Sequence, residues 1–598
     1  MEFAIYKYYS TDIPTETRDT LQQDAKMPVP EPKSEVIKLI SEEMIASAKA
    51  FAKKNEDLRK NFPSLSAKNE MQVPYSWWYH YRDHRNIIND LPKPQAELIH
   101  LLTKWIDDSY SELYSRVDSQ FRRGMVSAAS MSFLIQPNDV LVRRDAEGVE
   151  AFLATSWLHE EKRSSEIQET LGDPECTLLS VPWSKKSQWK WEVDAWSYVY
   201  NGVFYRMMRK LIINIDAETT DTEIPIVNLD VFPLRFASRE LQETLRRRGK
   251  TFWSCRHGSY ISYDSKTKTE DSTLGQRYMV DCRTYNNLHL ESLLGQDVPR
   301  KEDTLTREFK VESAFIQQEE APLEPDVFLF PRTLIGYDLQ REKWDHLDVD
   351  LIKEVAWNKK AFSHLVAEAE IKEVVQALVT TKIATERGTS LMQSKGNGLI
   401  MLLHGGPGTG KTFTAESVAE LAEKPLLPVA CGKISTTPKY LESMLHLAKT
   451  WGCVVLLEDA EVFLERRSVD NMAHNALISD FIREIESFDG ILILTSKSIR
   501  NLDKAFKSRI RVSLHYEPLT QPRRAQVWRN FLSHLSSLGE NSIDFDDIES
   551  HIGELSEREM NGHQICSAIT TARQLAQFQG NTMTIGHLIY AIGITDKF

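Results

Sequence analysis

The sequence predicts two kinds of structure in one chain: a mixed α+β, strand-rich N-terminal domain, followed by an α/β module built on a parallel sheet. Three observations carry this. From about Leu339 onward helical and apolar-strand signals alternate, the pattern of a parallel sheet flanked by helices. Between about Met125 and Asn287 the apolar period shifts toward two: Trp189, Trp191 and Val193 alternate with charged residues, and Val227, Leu229 and Val231 do the same around Asn228 and Asp230. Asn201-Gly202 lies between two aromatic-rich runs and predicts a two-residue hairpin turn, since both central residues of a type I′ turn need positive φ.

Length and charge set the outer bounds. At about 150 residues per domain, 598 residues predict three or four domains, and 41% hydrophobic with 27% charged residues excludes a wholly disordered chain. With 73 Lys and Arg against 86 Asp and Glu the net charge is −13, which disfavours duplex nucleic acid or an anionic membrane as partner. Six scattered cysteines with no CxxC pair suggest neither a zinc ribbon nor a disulfide framework. No stretch approaches about 18 uninterrupted apolar residues, so no membrane span is expected. The start, MEFAIYKYYSTD, has no secretory pattern, and an intracellular location, cytoplasmic or nuclear, is expected.

In chain order, residues 1–33 end in MPVPEP and read as a flexible arm. Residues 34–122 read as a helical segment whose core stripe is Leu98, Leu101, Leu102, Trp105, Ile106 and Leu113. The strand-rich domain of unknown function spans 123–295, and the charged stretch 296–335 reads as a linker. Within these, His80 and His84 have the i, i+4 spacing of a metal pair, but without a third ligand nearby an aromatic patch with Trp77 and Trp78 is the better reading. Arg246, Arg247, Arg248 and Lys250 read as a solvated helix end capped by Gly249.

The chemistry is carried further on. The apolar run LIMLL over 399–403 leads into GGPGTGKT, which is Gly405, Gly406, Pro407, Gly408, Thr409, Gly410, Lys411 and Thr412, and then into a segment of helical composition. Phosphate binding needs that order of strand, loop and helix. Glycines let backbone N–H groups converge on phosphate, Lys411 neutralises β/γ oxygens, and the Thr412 hydroxyl is placed for Mg2+. A second apolar strand, CVVLL over 453–457, ends in Glu458, Asp459, Ala460 and Glu461, where a P-loop protein keeps metal-coordinating and water-activating acids. A third, ILIL over 491–494, ends in Thr495, Ser496 and Lys497, and such strand ends meet at one sheet edge where ligands bind.

From about Gly336 onward the chain resembles an AAA-type (AAA+) ATPase of the group found in filamentous fungi. The resemblance runs through Trp357, Asn358, Ala361, Phe362, Leu365 and Val366, the glycine-rich loop, and AFKSRI over 505–510. The preceding part is similar to the N-terminal domain of unknown function in those proteins, through Arg248, Gly249, Lys250, Tyr260, Tyr263, Gly336 and Tyr337. The resemblance implies a P-loop core over 336–519 with five parallel strands, a small helical lid over 520–598, ATP and Mg2+ as ligands, and a homo-oligomeric ring. In that ring Arg509 of one subunit would approach the γ-phosphate held by its neighbour. Asn561, Gly562, His563 and Gln564 fall where the family usually has Asn-Gly-Arg-Gln at the start of a lid helix, whose buried face reads as Ile565, Ala568, Ile569 and Ala572.

The departures lie at the acids. The family's Asp-Glu-Ala-Asp stands here as Glu458, Asp459, Ala460 and Glu461, so the metal-side and water-side carboxylates have exchanged lengths. One carbon–carbon bond is about 1.5 Å, and a misplacement near 1 Å can cost about 10²-fold in rate. Lys497 stands where the family has an asparagine, replacing a donor and acceptor by a donor alone. In threading motors of this class an aromatic-hydrophobic-glycine triplet follows the second strand. Here that region reads ACGKISTT over 430–437, and Tyr440 reads as part of the next helix with Leu441, Met444, Leu445 and Ala448. The expected function is ATP binding through Lys411 and Thr412, with Glu458 and Thr412 on the metal and Asp459, Lys497 and Arg509 as catalytic residues. Slow hydrolysis would be coupled to remodelling of an unidentified protein client; an ATP-gated scaffold with little hydrolysis is the alternative.

Overall fold

The computed structural model describes residues 2–9, 34–54, 69–84, 86–146, 148–160, 187–217, 219–264, 276–293, 308–310, 313–386, 398–436, 439–464, 472–498, 504–537, 540 and 542–595. They form two compact units that interleave along the chain. The first comprises Met1–His257, Asp281–Ile335 and His346–Leu351, the second Gly258–Val280, Gly336–Asp345 and Ile352–Phe598. The second unit therefore does not start at 336: a stretch read as part of the strand-rich domain, Gly258–Val280, belongs to it.

The first unit opens with strand Phe3–Tyr8, inside the expected arm, which pairs antiparallel with Ser34–Leu39, itself paired with Glu70–Gln72. The segment 34–122 is thus not helical throughout. Ile37 and Leu39 alternate into the core as strand residues, and the three-and-four periodicity belongs to one helix, Lys93–Arg122, with Ile99, Leu102, Ile106, Tyr114 and Val117 buried. Leu101 is half exposed and lies off that face. A seven-stranded antiparallel sheet follows, centred on the long hairpin Ser187–Tyr200 and Phe204–Ala217. Its turn holds three residues rather than the two expected. Tyr200 pairs with Phe204, Asn201 N–H donates to the Val203 carbonyl at 3.2 Å, and Gly202 has φ +90° while Asn201 does not enter the positive region.

Two further expectations are corrected here. The helix Arg239–Cys255 runs straight through Gly249, which caps nothing. A Cβ there would stand 1.8 Å from the Val327 carbonyl oxygen, so the glycine permits close approach of the two backbones. Arg248 is buried and forks onto Asp350 at 3.0 and 2.5 Å, and Arg246 is engaged by Glu243 and Glu324, so these two side chains are held by carboxylates rather than solvated at a helix end. The expected linker ends in core, since Val327, Phe328, Leu329 and Phe330 are all buried.

In the second unit a five-stranded parallel sheet runs in the order Leu426–Ala430, Val454–Glu458, Ile491–Ser496, Leu399–Gly405, Val512–Tyr516. Its strands read as continuous apolar runs because helices cover both faces. Leu402, Val455 and Leu492 pack with Leu445, Phe481 and Ile485 on one side, and Leu403, Leu456 and Ile493 pack with Ala415 and Val418 on the other. A second sheet, in the order Lys343–Asp348, Thr333–Asp338, Gln276–Val280, Ser259–Tyr263, Ile352–Glu354, adds Met279, Tyr337 and Leu339 to the first of these clusters, where Tyr337 meets Trp344 and Trp451. A helical subdomain closes the chain around Trp528, Ile548, Ile565, Ala568, Ile569 and Ala572. No helix among the described residues is long and apolar enough to cross a membrane.

Candidate functional site

The phosphate-loop strand Leu399–Gly405 is buried through Leu403 and delivers the chain to the edge of the sheet. There it turns on glycines that need conformations closed to other residues: φ is +149° at Gly405, +69° at Gly408 and +102° at Gly410. Gly410 starts the helix Lys411–Ala422. The Thr409 hydroxyl donates to the Gly406 carbonyl at 2.9 Å and closes the loop on itself. Lys411 folds back, its ammonium donating to the carbonyls of Gly405 at 2.8 Å and Gly406 at 2.6 Å. Burial pulls the pKa of Lys411 below that of a free lysine, while the charges of Asp459 and Glu461 work against that shift.

The lid reaches the same loop. Helix Gly562–Gln579 begins with a reciprocal cap, in which Gln564 N–H donates to Asn561 Oδ1 at 2.9 Å and Asn561 N–H to Gln564 Oε1 at 2.8 Å. Gly562 N–H then donates to the Gly408 carbonyl at 2.8 Å, and a Cβ on Gly408 would lie 2.4 Å from Asn561 Oδ1. Between loop and lid lies a cavity of about 680 Å3. Gly408, Thr409, Gly410, Lys411 and Thr412 of the loop and His563 of the lid line it together with the apolar side chains Leu365, Val366, Val527 and Phe531. A lining that joins loop backbone and an ammonium to apolar side chains suits a molecule that carries both phosphates and a flat apolar ring. Val527 and Phe531 escaped the sequence reading because isolated apolar residues on a helix read as core; the only sequence signal was their place on a helix ahead of the lid motif.

The acids stand beyond the cavity lining. Glu458 ends the strand Val454–Glu458, and Thr412 Oγ1 donates to its Oε1 at 3.1 Å. Asp459 has φ +51°, a left-handed turn fixed by its N–H on Thr495 Oγ1 at 3.2 Å and by Ala460 N–H on the Thr495 carbonyl at 2.9 Å. Its carboxylate meets the Lys497 ammonium at 3.3 Å, and Lys497 N–H donates to Glu461 Oε1 at 2.5 Å. Glu416 on the phosphate-loop helix is held above the ordinary carboxylate range, by burial first and then by Glu458 and Glu420. The structure thus brings Thr412 to Glu458 and Lys497 to Asp459. Arg509 is not on the cavity lining and pairs with Glu486. Thr412 and Glu458 supply the hydroxyl and carboxylate oxygens that suit a hard divalent cation, side by side at the mouth of the phosphate loop.

A buried strand, a glycine loop closing on its own lysine and a helix starting at that lysine define a nucleotide-binding protein of the P-loop class. Residues 401–518 match the family model described as ATPase family associated with various cellular activities (AAA), so the chain carries an AAA-family ATPase domain. Residues 116–238 match a model described as a domain of unknown function, DUF7025. No curated protein matches the chain. Among solved structures, the FIGL-1 AAA domain in complex with ADP is 15% identical, covers 38% of this chain and 82% of its own, with a TM-score of 0.31. The FIGL-1 AAA domain in a second structure is 14% identical, over 40% of this chain and 84% of its own, with a TM-score of 0.32. A structure describing the basis of katanin self-assembly is 15% identical, over 40% of this chain and 85% of its own, with a TM-score of 0.30.

Proposed function

We propose that the protein binds ATP in this cavity, hydrolyses it slowly, and uses the difference between its ATP and ADP states to remodel a protein partner. The observation that carries the reading is the glycine loop 405–412, whose residues 408–412 line a cavity shared with apolar side chains and whose Lys411 ammonium is held on the loop's own carbonyls. In this reading the triphosphate draws Lys411 from the Gly405 and Gly406 carbonyls, and the base lies against Leu365, Val366, Val527 and Phe531. Thr412 and Glu458 would hold Mg2+, which when bound offsets phosphate charge. Asp459 orients the attacking water, Lys497 faces the γ-phosphate, and Arg509 acts on the neighbouring subunit of a homo-oligomeric ring. An intracellular setting, cytoplasmic or nuclear, is supported by the five described cysteines, none of which is in a disulfide with another described residue.

One observation favours a second reading. The Lys497 ammonium lies 3.3 Å from Asp459 Oδ2 and competes for the carboxylate that would orient water, which suits an ATP-gated scaffold in which hydrolysis is vestigial. ATP binding and phosphate release, measured with Mg2+ on one sample of wild type, Lys411→Ala and Asp459→Asn, separate the two. Binding lost only in Lys411→Ala and turnover lost in both variants supports the enzyme. Binding without turnover in the wild type supports the scaffold, and absence of binding sinks both.

A further inference from the structure

The cavity wall contributed by residues 358–366 is approached by a side chain from the antiparallel sheet, far away in sequence. Strand Ile352–Glu354 pairs with Ser259–Tyr263, and the chain leaves that edge through 356–358 to reach helix Ala361–His364. Asn358, Ala361, Leu365 and Val366 all line the cavity. Arg277, on strand Gln276–Val280 opposite Ser262, grips this exit segment at two points and the phosphate-loop helix at a third. One guanidinium nitrogen donates to Glu420 Oε1 at 2.5 Å, another to the Ala356 carbonyl at 3.1 Å, and the guanidinium carbon lies 5.3 Å from the centre of the Trp357 ring. Glu420 is on the phosphate-loop helix, and its other oxygen accepts the Asn358 N–H at 2.6 Å. Tyr260 packs against Trp357, ring centres 5.7 Å apart, and shares a side-chain hydrogen bond with Arg277.

We propose that Arg277 is a positioning residue for nucleotide binding: with Glu420 it clamps 356–358 to the phosphate-loop helix, and so sets the spacing between the glycine loop and the cavity wall contributed by residues 358–366. The inference rests on the ATP reading above and adds to it a residue that no phosphate-loop motif contains. Both side chains are largely shielded, 20% and 16% exposed, so this pair is not a solvent-screened surface contact. The planar fork matters as much as the charge, because one group must serve a carboxylate, a carbonyl and an aromatic face at once. Without it the segment loses its anchor, and that wall shifts relative to phosphates whose own site is fixed by the loop backbone.

The test separates the two ends of the ligand. Full-length wild type, Arg277→Ala, Arg277→Lys, Glu420→Gln and Lys411→Ala are titrated with a fluorescent ATP analogue and, in competition, with inorganic tripolyphosphate, and each is melted without ligand. Arg277→Ala is expected to weaken the ATP analogue on the order of tenfold while leaving tripolyphosphate unchanged, whereas Lys411→Ala weakens both. Arg277→Lys keeps a cation but not the fork, and recovers only part of the loss. Glu420→Gln retains an acceptor for the Asn358 N–H and gives a smaller loss that survives even if Arg277→Ala fails to fold. Equal affinity for the ATP analogue in wild type, Arg277→Lys and Glu420→Gln overturns the proposal, as does a parallel loss of tripolyphosphate. A wild type that binds neither probe overturns the ATP reading itself.

Discussion

The phosphate loop and the acid cluster sit at the ends of strands of one sheet, with Ile491–Ser496 between those strands, yet they are held in opposite ways. The loop is a backbone object: its shape follows from positive φ at Gly405, Gly408 and Gly410, from Thr409 on the Gly406 carbonyl, and from the Gly562 N–H on Gly408. The acid cluster is a side-chain object, with the Asp459 carboxylate and the Lys497 ammonium each more than 60% exposed and tied to one another. Side-chain length is irrelevant to the first and decisive for the second. Nucleotide affinity and turnover are therefore expected to respond to different substitutions.

The largest effect expected from breaking that contrast comes from restoring the usual lengths. The double substitution Glu458→Asp with Asp459→Glu should raise phosphate release about 10²-fold, with the affinity for ATP unchanged. Unchanged turnover in that variant would leave the scaffold reading standing. Next is the backbone side: Gly408→Ala puts a methyl against a capping asparagine and forces a positive φ on a residue with a Cβ. Strain and loss of the cap sum to about 2 kcal/mol, roughly thirtyfold in ATP affinity; a titration with a non-hydrolysable analogue reads it. Smaller is Lys497→Asn. An exposed ion pair is worth at most about 1 kcal/mol, so freeing Asp459 should speed turnover by about fivefold, again at constant affinity.

The smallest effect lies in the first unit and serves as a control, for it should touch neither property. The His80 ring packs on Tyr79 and Trp157, its Nε2 is shielded with no hydrogen-bond partner among the described residues, and its pKa is lowered from 6.5 to about 3 by burial first and then by Arg235 and Arg82. The unfolded chain therefore binds the extra proton between these values. The stability His80 contributes is complete above about pH 6.5 and is lost as pH falls toward 3. His80→Phe should flatten the fall of the melting temperature between pH 6.5 and 4.5 by a few degrees, and an unaltered slope would show that the ring is not the source. This also bears on the metal reading: no group of three ligating side chains occurs among the described residues, and the side chain of His84 lies outside them.

What could be read from the sequence follows the range of the interactions involved. The loop 405–412 was legible because its function fixes residue type position by position. The lid face Ile565, Ala568, Ile569 and Ala572 was legible because helical periodicity is local, and all four are buried. The second sheet of the ATPase unit was not, since it joins Ser259–Tyr263, Gln276–Val280 and Ile352–Glu354 across long separations, and nothing in a strand's own residues names its partner. Gly249 misled for a related reason: a glycine after basic residues signals a helix end locally, whereas its cause is the Val327 carbonyl, distant in the chain. Asp459 could be placed as an acid but not as a left-handed residue paired to Lys497, because that conformation is held by hydrogen bonds that the Asp459 and Ala460 N–H groups donate to Thr495.

The interleaving of the two units has a consequence for how the protein can be made or cut. The chain passes between them at 257/258, 280/281, 335/336, 345/346 and 351/352 before settling in the second. A ribosome therefore releases two strands of the second unit before the glycine loop 405–412 exists. They must wait, with one sheet edge open, until Ile352–Glu354 arrives to close it. No single truncation yields the ATPase unit intact: a fragment begun at Gly336 lacks Arg277 and the strand that carries it, and an internal deletion of the intervening segments demands a new connection. Inheritance of the nucleotide site by recombination faces the same arithmetic, so the two halves of this chain are bound to travel together.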